Sequence, residues 1–284
     1  MSGNLGSPTP IQPLSVGNVV SAGIRLYRSH LKDYFLLALR AYIWVFIPIY
    51  GWAKCYALIS LISRLAFGEL VNQPESVSSG ERFVNSRKWQ FLLMMLLMFL
   101  VGIGIIVGVV ILFALFGVLS AALVGGVGQQ GNPASYLLLI AIAIIITIAA
   151  FIGVLWLLTR FYLVDVPLAI EENIDATSTI SRSWELTQGY VWRILFISFV
   201  TFLITIPIQI AVQIVLGIIQ LVFSPLILRE ARFFTVVYSV LILALSFAGS
   251  AAIVPFWQTV KAVIYYDLRS RREGLGLQLR DHEI

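Results

Sequence analysis

Residues 91–124, FLLMMLLMFLVGIGIIVGVVILFALFGVLSAALV, form an apolar run without a single charged side chain. A helix of about 20 apolar residues is long enough to cross the hydrocarbon core of a bilayer. Because unpaired backbone groups are costly in lipid, such a segment crosses as a helix. This run therefore predicts a membrane-spanning helix, and it sets the class of the whole fold.

Three further apolar blocks have the same length and character, at 136–159, 192–222 and 233–260. Glycine and proline between 125 and 133, and Ser224-Pro225 before Arg232, interrupt the chain within each pair of blocks. We therefore predict two helical hairpins, over 91–159 and 192–265. The composition agrees, since only 12% of the residues are charged and the mean hydropathy is +0.95. No polar stretch is long enough for a separate catalytic domain.

The block from 34 to 66 is harder to interpret because Pro48 lies in its middle. Each half would make about 22 Å of helix, which is shorter than the core of about 30 Å. Two alternatives follow, a re-entrant hairpin or two short spans. Either hairpin returns the chain to the side it came from, which places most bases on one face and only Arg229 and Arg232 on the other. The positive-inside rule then predicts that both termini are cytoplasmic.

Two polar stretches, 14–33 and 175–191, have helical amphipathic patterns. In the first, Val16, Val20 and Ile24 lie opposite the bases, and in the second Asp175 precedes a stripe that contains Trp184. Helices of this kind lie in the headgroup plane of a membrane. The predicted organisation is a flexible tail at 1–13, a surface helix at 14–33, a membrane domain at 34–268 that includes the surface helix 175–191, and a basic tail at 269–284.

Three stretches resemble a known bacterial family: LSVGNVVSAGIRLYRSHLKDYF at 14–35, SRSWELTQGYVWRIL at 181–195 and YYDLRSRREGLGLQLR at 265–280. The family is the membrane domain that is fused to some glycerophosphodiester phosphodiesterases and more often occurs alone. The resemblance implies an integral membrane protein, usually with six spans, and an enzyme only where the catalytic domain is fused. Neither His30 nor His282 is followed by the Arg-Gly of that enzyme. It therefore implies the membrane domain without the catalytic domain.

The decapeptide YYDLRSRREG at 265–274 is the most charged segment near the end of the chain. On a helix, Asp267 with Arg271 and Arg269 with Glu273 are i, i+4 pairs, and Gly274 ends the helix. We interpret this segment as the cytoplasmic end of the last span. The acidic residues Glu171, Glu172 and Asp175 form either a solvated turn or a cation site. Asp165 is expected to pair with Arg160 at the membrane interface.

A polar path through the membrane would need side chains such as Arg40, Lys54, Gln209 and Gln213. Arg40 and Lys54 either snorkel to the headgroups or form a polar pocket. The four long blocks contain no carboxylate, which disfavours an ion-coupled transporter. Gly104 with Gly108, and Ala248 with Ala252, are expected to let helices approach closely, inside the chain or between copies.

The sequence therefore predicts a non-enzymatic membrane scaffold that binds anionic lipid and self-associates or holds a membrane partner. The alternative is a channel or carrier for a small or lipidic solute. We expect no catalytic residues, cofactor or metal, because no motif resembles a nucleophile with its base or a set of metal ligands. We expect no nucleic-acid partner, because the net charge of +5 suits the inner leaflet. The expected location is the bacterial inner membrane, with an internal membrane such as a thylakoid as the alternative. The predicted lipid or partner contacts are Arg25, Arg28, Lys32, Arg182, Trp184, Arg269, Arg271 and Arg272.

Overall fold

The computed structural model describes residues 14–126, 133–227 and 232–274, which form helices joined by short turns, with no strand among them. The predicted tail at 1–13 and residues 275–284 of the basic tail lie outside this range. The helices are α1 Val16–Ser29, α2 Leu31–Ile43, α3 Tyr50–Leu70, α4 Val77–Ser86, α5 Lys88–Gly126, α6 Pro133–Arg160, α7 Asp165–Ile170, α8 Ser178–Thr187, α9 Val191–Ile227 and α10 Arg232–Glu273, with a 3₁₀ turn at Trp44–Phe46.

Helices α5, α6, α9 and α10 are long and apolar enough to cross a membrane, which confirms the four predicted spans. The helix α10 is about 63 Å long at about 1.5 Å per residue, twice the thickness of a bilayer core. None of the residues in the most apolar 18-residue windows of α5 and α6 is buried by the described part of the chain. The protein is therefore a multi-pass membrane protein whose apolar faces meet lipid or another protein.

The block around Pro48 forms the predicted hairpin, from α2 to α3. Its two ends meet, since His30 Nε2 lies 3.5 Å from Glu69 Oε1. Its tip reaches α10 at Phe247, whose ring centroid is 5.3 Å from that of Tyr42. Residues 232–246 of α10 extend beyond this point, which is about 22 Å of helix. The hairpin therefore stops short of the far end of α10, and the re-entrant hairpin and the two short spans both stay predictions.

The tip of the hairpin, residues 44–51, is a tight turn. Ile49 adopts a positive φ of 62°, a conformation that a β-branched residue rarely takes. A Cβ added to Gly51 would lie 1.9 Å from the carbonyl oxygen of Trp44. Pro48 has no backbone N–H to continue a helix through the turn. The tip therefore needs glycine at 51, and it presents Phe46, Ile47 and Ile49 as exposed apolar side chains.

The buried part of the protein lies at one end of the four spans, and we call it the basal domain: α1–α4, α7, α8 and residues 249–273 of α10. Its centre is α3, where Leu58, Leu61 and Ile62 are fully buried. The helix α4 approaches α3 at Gly80, where an added Cβ would lie 2.6 Å from Leu61. Each fully buried aliphatic side chain contributes about 1.5–3 kcal/mol, so this layer is the main stabilising core of the described chain.

The first amphipathic helix forms as predicted and packs against α10. It runs antiparallel along α10, with the Tyr27 hydroxyl donating to Ala252 O at 2.7 Å and the Thr259 hydroxyl donating to Gly23 O at 3.1 Å. A Cβ at Gly23 would lie 2.6 Å from Val260. The amphipathic pattern predicted a helix with one apolar face, and α10 covers part of that face.

The second amphipathic stretch is shorter than predicted. Within 175–191 only Ser178–Thr187 is α8, because Gly189 with a φ of 81° makes a turn before α9 begins at Val191. Asp175 caps α8 as expected, since its Oδ1 accepts from Ser178 N at 2.7 Å. The buried face of α8 is fixed by the Thr179 hydroxyl, which donates to Val164 O at 2.7 Å. This helix therefore anchors the chain segment that follows α6.

Candidate functional site

The deepest polar contacts of the basal domain are centred on Asp165, which is 2% exposed. Lys261 Nζ lies 2.9 Å and 3.0 Å from its two carboxylate oxygens, and Gln258 Nε2 donates to it at 3.0 Å. The Ser63 hydroxyl in turn donates to Gln258 Oε1 at 2.5 Å. This buried network joins α3, α7 and α10. Because each polar group has a partner, it fixes how these three helices sit together.

The expected pairing of Asp165 with Arg160 is wrong. Between them, residues 161–164 leave the helix and redirect the chain, so α7 begins at Asp165 and carries it inward to Lys261. Arg160 instead ends α6, with its guanidinium carbon 4.1 Å from the ring centroid of Trp184. Local sequence spacing could not have revealed a partner 96 positions away.

A second group of charges lies at the rim of the basal domain. Arg182 on α8 donates to Glu171 Oε1 at 3.0 Å and also pairs with Glu273 on α10. Burial opposes the charge on Arg182, but hydrogen bonds and charge contacts with these two glutamates outweigh it and raise its pKa. The Tyr265 hydroxyl donates to Glu171, and the Tyr265 side chain is fully buried.

The two i, i+4 pairs predicted in YYDLRSRREG are confirmed. Arg271 Nε donates to Asp267 Oδ2 at 3.0 Å, and Arg269 Nε donates to Glu273 Oε2 at 2.8 Å. Gly274 follows the last residue of α10 with a φ of 64°, as a helix terminator does. Asp267 also accepts from Leu14 N at 3.2 Å and from Arg193 at 3.0 Å, so it ties the start of the described chain to α9 and α10.

The acidic residues after α7 separate into different roles. Glu171 belongs to the rim charges, Glu172 is exposed, and Asp175 is the cap of α8. Hydrogen bonds from Ser178 and Thr177 lower the pKa of Asp175 to about 2. Because the three carboxylates have different roles, they fit the interpretation as a solvated turn better than a shared cation site. In the described residues, no group of three or more histidine, cysteine or acidic side chains is placed to hold a metal ion.

A further ion pair holds α4 and α7 against α3. Arg64 Nε lies 2.6 Å from Glu75 Oε2, and Arg64 Nη1 donates to Ala169 O at 3.1 Å. Burial opposes the charge on Glu75, but the hydrogen bond from Arg64 outweighs it and lowers the pKa. Arg87 Nη1 donates to Glu171 O at 2.6 Å on the same side. Sequence analysis missed these contacts because no local spacing links the partners.

The predicted lipid contacts fall into two groups. Arg25, Arg28 and Lys32 are exposed and have no ion pair among the described residues. Arg182, Arg269 and Arg271 are instead engaged in the ion pairs given above. Arg272 donates to Gln188 O, and Trp184 stacks against Arg160. Free cationic charge is therefore concentrated on α1 and the start of α2.

The four side chains of the predicted polar path are not brought together. Arg40 pairs with Glu81 on α4, and Lys54 Nζ lies 3.8 Å above the ring of Trp44. Gln209 donates to Thr205 of its own helix at 3.1 Å, and Gln213 is exposed. No hydrogen bond joins these four side chains within the described ranges.

The predicted packing residues behave differently on the two hairpins. On α10, Ala248 and Ala252 flank Gly249, where an added Cβ would lie 3.0 Å from Val212 on α9, so this hairpin is closely packed. On α5, nothing lies within 4 Å of a Cβ added at Gly104 or Gly108. These two glycines therefore do not bring α5 against another helix of the described chain, and a role in self-association stays a prediction.

Together, these ion pairs and hydrogen bonds fix the helices of the basal domain relative to one another, at one end of the four apolar spans. The carboxylates of these ion pairs are bound by arginine, lysine or backbone donors, whereas Arg25, Arg28 and Lys32 are exposed on α1 and α2. This geometry can hold helices in register and present positive charge to an anionic surface.

Comparison of the chain with models of protein families, with curated proteins and with solved structures gives no match. The resemblance of residues 14–35, 181–195 and 265–280 to the phosphodiesterase membrane domain therefore stays a prediction.

Proposed function

We propose that this protein is a non-enzymatic scaffold of the bacterial inner membrane, with both termini in the cytoplasm. In this proposal it binds anionic lipid through its basic surface and self-associates or holds a membrane partner through its spans. The basal domain then lies on the cytoplasmic side, in agreement with the positive-inside distribution of bases. The resemblance to the phosphodiesterase membrane domain supports the same location.

The observation that carries the proposal is the exposure of Arg25, Arg28 and Lys32, none of which has an ion pair among the described residues. These bases lie on the side of α1 and α2 that α10 leaves free, and α1 approaches the spans, since Tyr27 bonds to Ala252 O. A base near an anionic leaflet gains about 1 kcal/mol. The three bases together therefore favour an anionic membrane surface.

The assembly part of the proposal rests on the spans. The most apolar windows of α9 and α10 are only 6% and 11% buried, and those of α5 and α6 not at all. Gly104 on α5 lies on such an uncovered face, where a second helix could approach closely. A scaffold uses such faces to associate.

Lipid binding can be tested by neutralising the bases in R25Q/R28Q/K32Q. We expect the ratio of phosphatidylglycerol to phosphatidylethanolamine that co-purifies with the protein to fall at least about threefold, because three charge contacts are lost. The matched control is R82Q, which removes an exposed base from α4. An unchanged ratio in the triple variant, or an equal fall in R82Q, would contradict the proposed surface.

A further inference from the structure

Arg160 occupies an unusual position at the end of α6. Its guanidinium carbon lies 4.1 Å from the ring centroid of Trp184 and 5.5 Å from that of Trp156. The backbone carbonyl of Arg160 accepts from the Ser183 hydroxyl at 2.9 Å, which holds α8 and Trp184 in place. The two indole rings are perpendicular, with centroids 5.7 Å apart. The guanidinium therefore lies against the rings of both tryptophans.

This guanidinium has no anionic partner in the described part of the chain. Arg160 is only 4% exposed, its buried Nε has no hydrogen-bond acceptor, and no carboxylate oxygen of the described residues lies within 4.0 Å of it. By contrast Arg64, Arg182 and Arg193 each pair with a carboxylate. A buried charge without a partner is destabilising, so this site favours an anion from outside the described part of the chain.

An apolar groove begins one turn away from Arg160 and continues along the outer part of α6. It lies between α5 and α6, has a volume of about 230 Å³, and includes Gly108, Gly153 and Leu157 in its lining. Its other lining residues are also apolar: Ile105, Val109, Leu112, Ala150 and Val154. The groove is open along one side and its lining is apolar throughout, so an acyl chain of the surrounding lipid can lie along it.

We propose that Arg160 and this groove together bind one anionic phospholipid, with the phosphate at the guanidinium and one acyl chain between α5 and α6. Gly153 lies two helical turns before Arg160 on nearly the same face of α6, so one ligand can reach both. The planar fork of arginine matches the oxygens of a phosphate. Trp156 and Trp184 are 38% and 36% exposed, as is typical of tryptophan at the headgroup level.

This inference deepens the proposed function and rests on it, since it assigns a discrete site to anionic lipid. It differs from the exposed bases of α1 and α2, which attract a charged surface without selecting one molecule. The same phosphate chemistry is found in free phosphate esters, and only the lipid also fills the groove.

The test is titration of detergent-solubilised protein with phosphatidylglycerol, followed by native mass spectrometry of the one-lipid complex. We expect R160M to weaken binding about tenfold, because the charge-assisted contact to phosphate is lost. R160K keeps the charge without the stacked plane and should weaken it less. G153L fills the groove, and nothing lies within 4 Å of its new Cβ, so the variant has room to fold. It should weaken phosphatidylglycerol binding to a similar degree.

Two results would overturn the site. If the wild type prefers phosphatidylglycerol and R160M and G153L bind it equally well, the proposed function stands and this site does not exist. If glycerol phosphate at the same concentration displaces the lipid and G153L has no effect, the ligand is a free phosphate ester. If R25Q/R28Q/K32Q leaves the ratio of co-purifying lipids unchanged while R160M and G153L weaken binding, the proposal for the exposed bases is wrong and this site is kept.

Discussion

Lys261 Nζ lies 2.9 Å and 3.0 Å from the two carboxylate oxygens of Asp165, although the two residues are on different helices and 96 positions apart. Their side chains are 16% and 3% exposed. Gln258 and Ser63 complete the hydrogen bonds around this pair. The pair therefore joins α7, which follows α6, to α10, and it fixes these two helices together inside the basal domain.

We predict that removing one partner of this pair is more damaging than removing both. D165L or K261M should each lower the free energy of unfolding by about 3–5 kcal/mol, because a buried charge is left alone. D165L/K261M should lose less than the sum of the two. Thermal unfolding of the purified protein in detergent, analysed as a double-mutant cycle, measures the coupling. Strict additivity of the three variants would contradict the pairing.

The hairpin tip gives a second prediction. In G51A the new Cβ would lie 1.9 Å from Trp44 O and 2.9 Å from Ile47 Cβ, so the tip cannot close without rearrangement. We expect a loss of at least about 1–3 kcal/mol in the free energy of unfolding, as for other overpacked sites. The matched control is G102A on α5, where nothing lies within 4 Å. Equal unfolding temperatures for G51A and the wild type would show that the tip is not closed in this way.

A third prediction concerns pH. The pKa of Asp175 is lowered to about 2 by hydrogen bonds from Ser178 and Thr177. The folded-state pKa is below the ordinary value, so the cap stabilises α8 above about pH 4 and loses this effect as the pH falls towards 2. The unfolding temperature of the wild type should exceed that of D175N at pH 6, and the difference should shrink at pH 2.5. A difference that grows on acidification would contradict this sign.

Self-association gives a fourth prediction. G104L adds a bulky side chain to an exposed face of α5 where the described chain offers no contact within 4 Å. The fold should therefore keep its unfolding temperature, while an interface at this glycine would be blocked. Cross-linking in native membranes should show fewer oligomers for G104L than for V118L, which alters another exposed position of α5. Equal cross-linking in the two variants would place the interface elsewhere.

The sequence predicted those features that depend on local pattern. The length of the apolar runs predicted the four spans, and Pro48 predicted the turn between α2 and α3. The spacing of Asp267 and Arg271 predicted an ion pair, which forms. Each of these is decided within one helix or one turn. They could therefore be inferred without knowledge of which helices are neighbours.

The features that were missed depend on which helices meet. The amphipathic face of α1 indicated burial but not that α10 covers it. Asp165 was assigned to Arg160 because the two are close in sequence, whereas its partner is Lys261. Arg160 could be recognised as unpaired only after the carboxylates had been placed. Long-range pairing follows from tertiary packing, which hydrophobic period and residue spacing do not encode.

The central claim, a lipid-binding scaffold that assembles, is tested most directly by native mass spectrometry of the wild-type protein extracted gently with its own lipids. The account predicts a defined oligomer or a stoichiometric complex with a membrane partner, and anionic phospholipid bound to it. A strictly monomeric protein without a partner and without preference for anionic lipid would contradict the account.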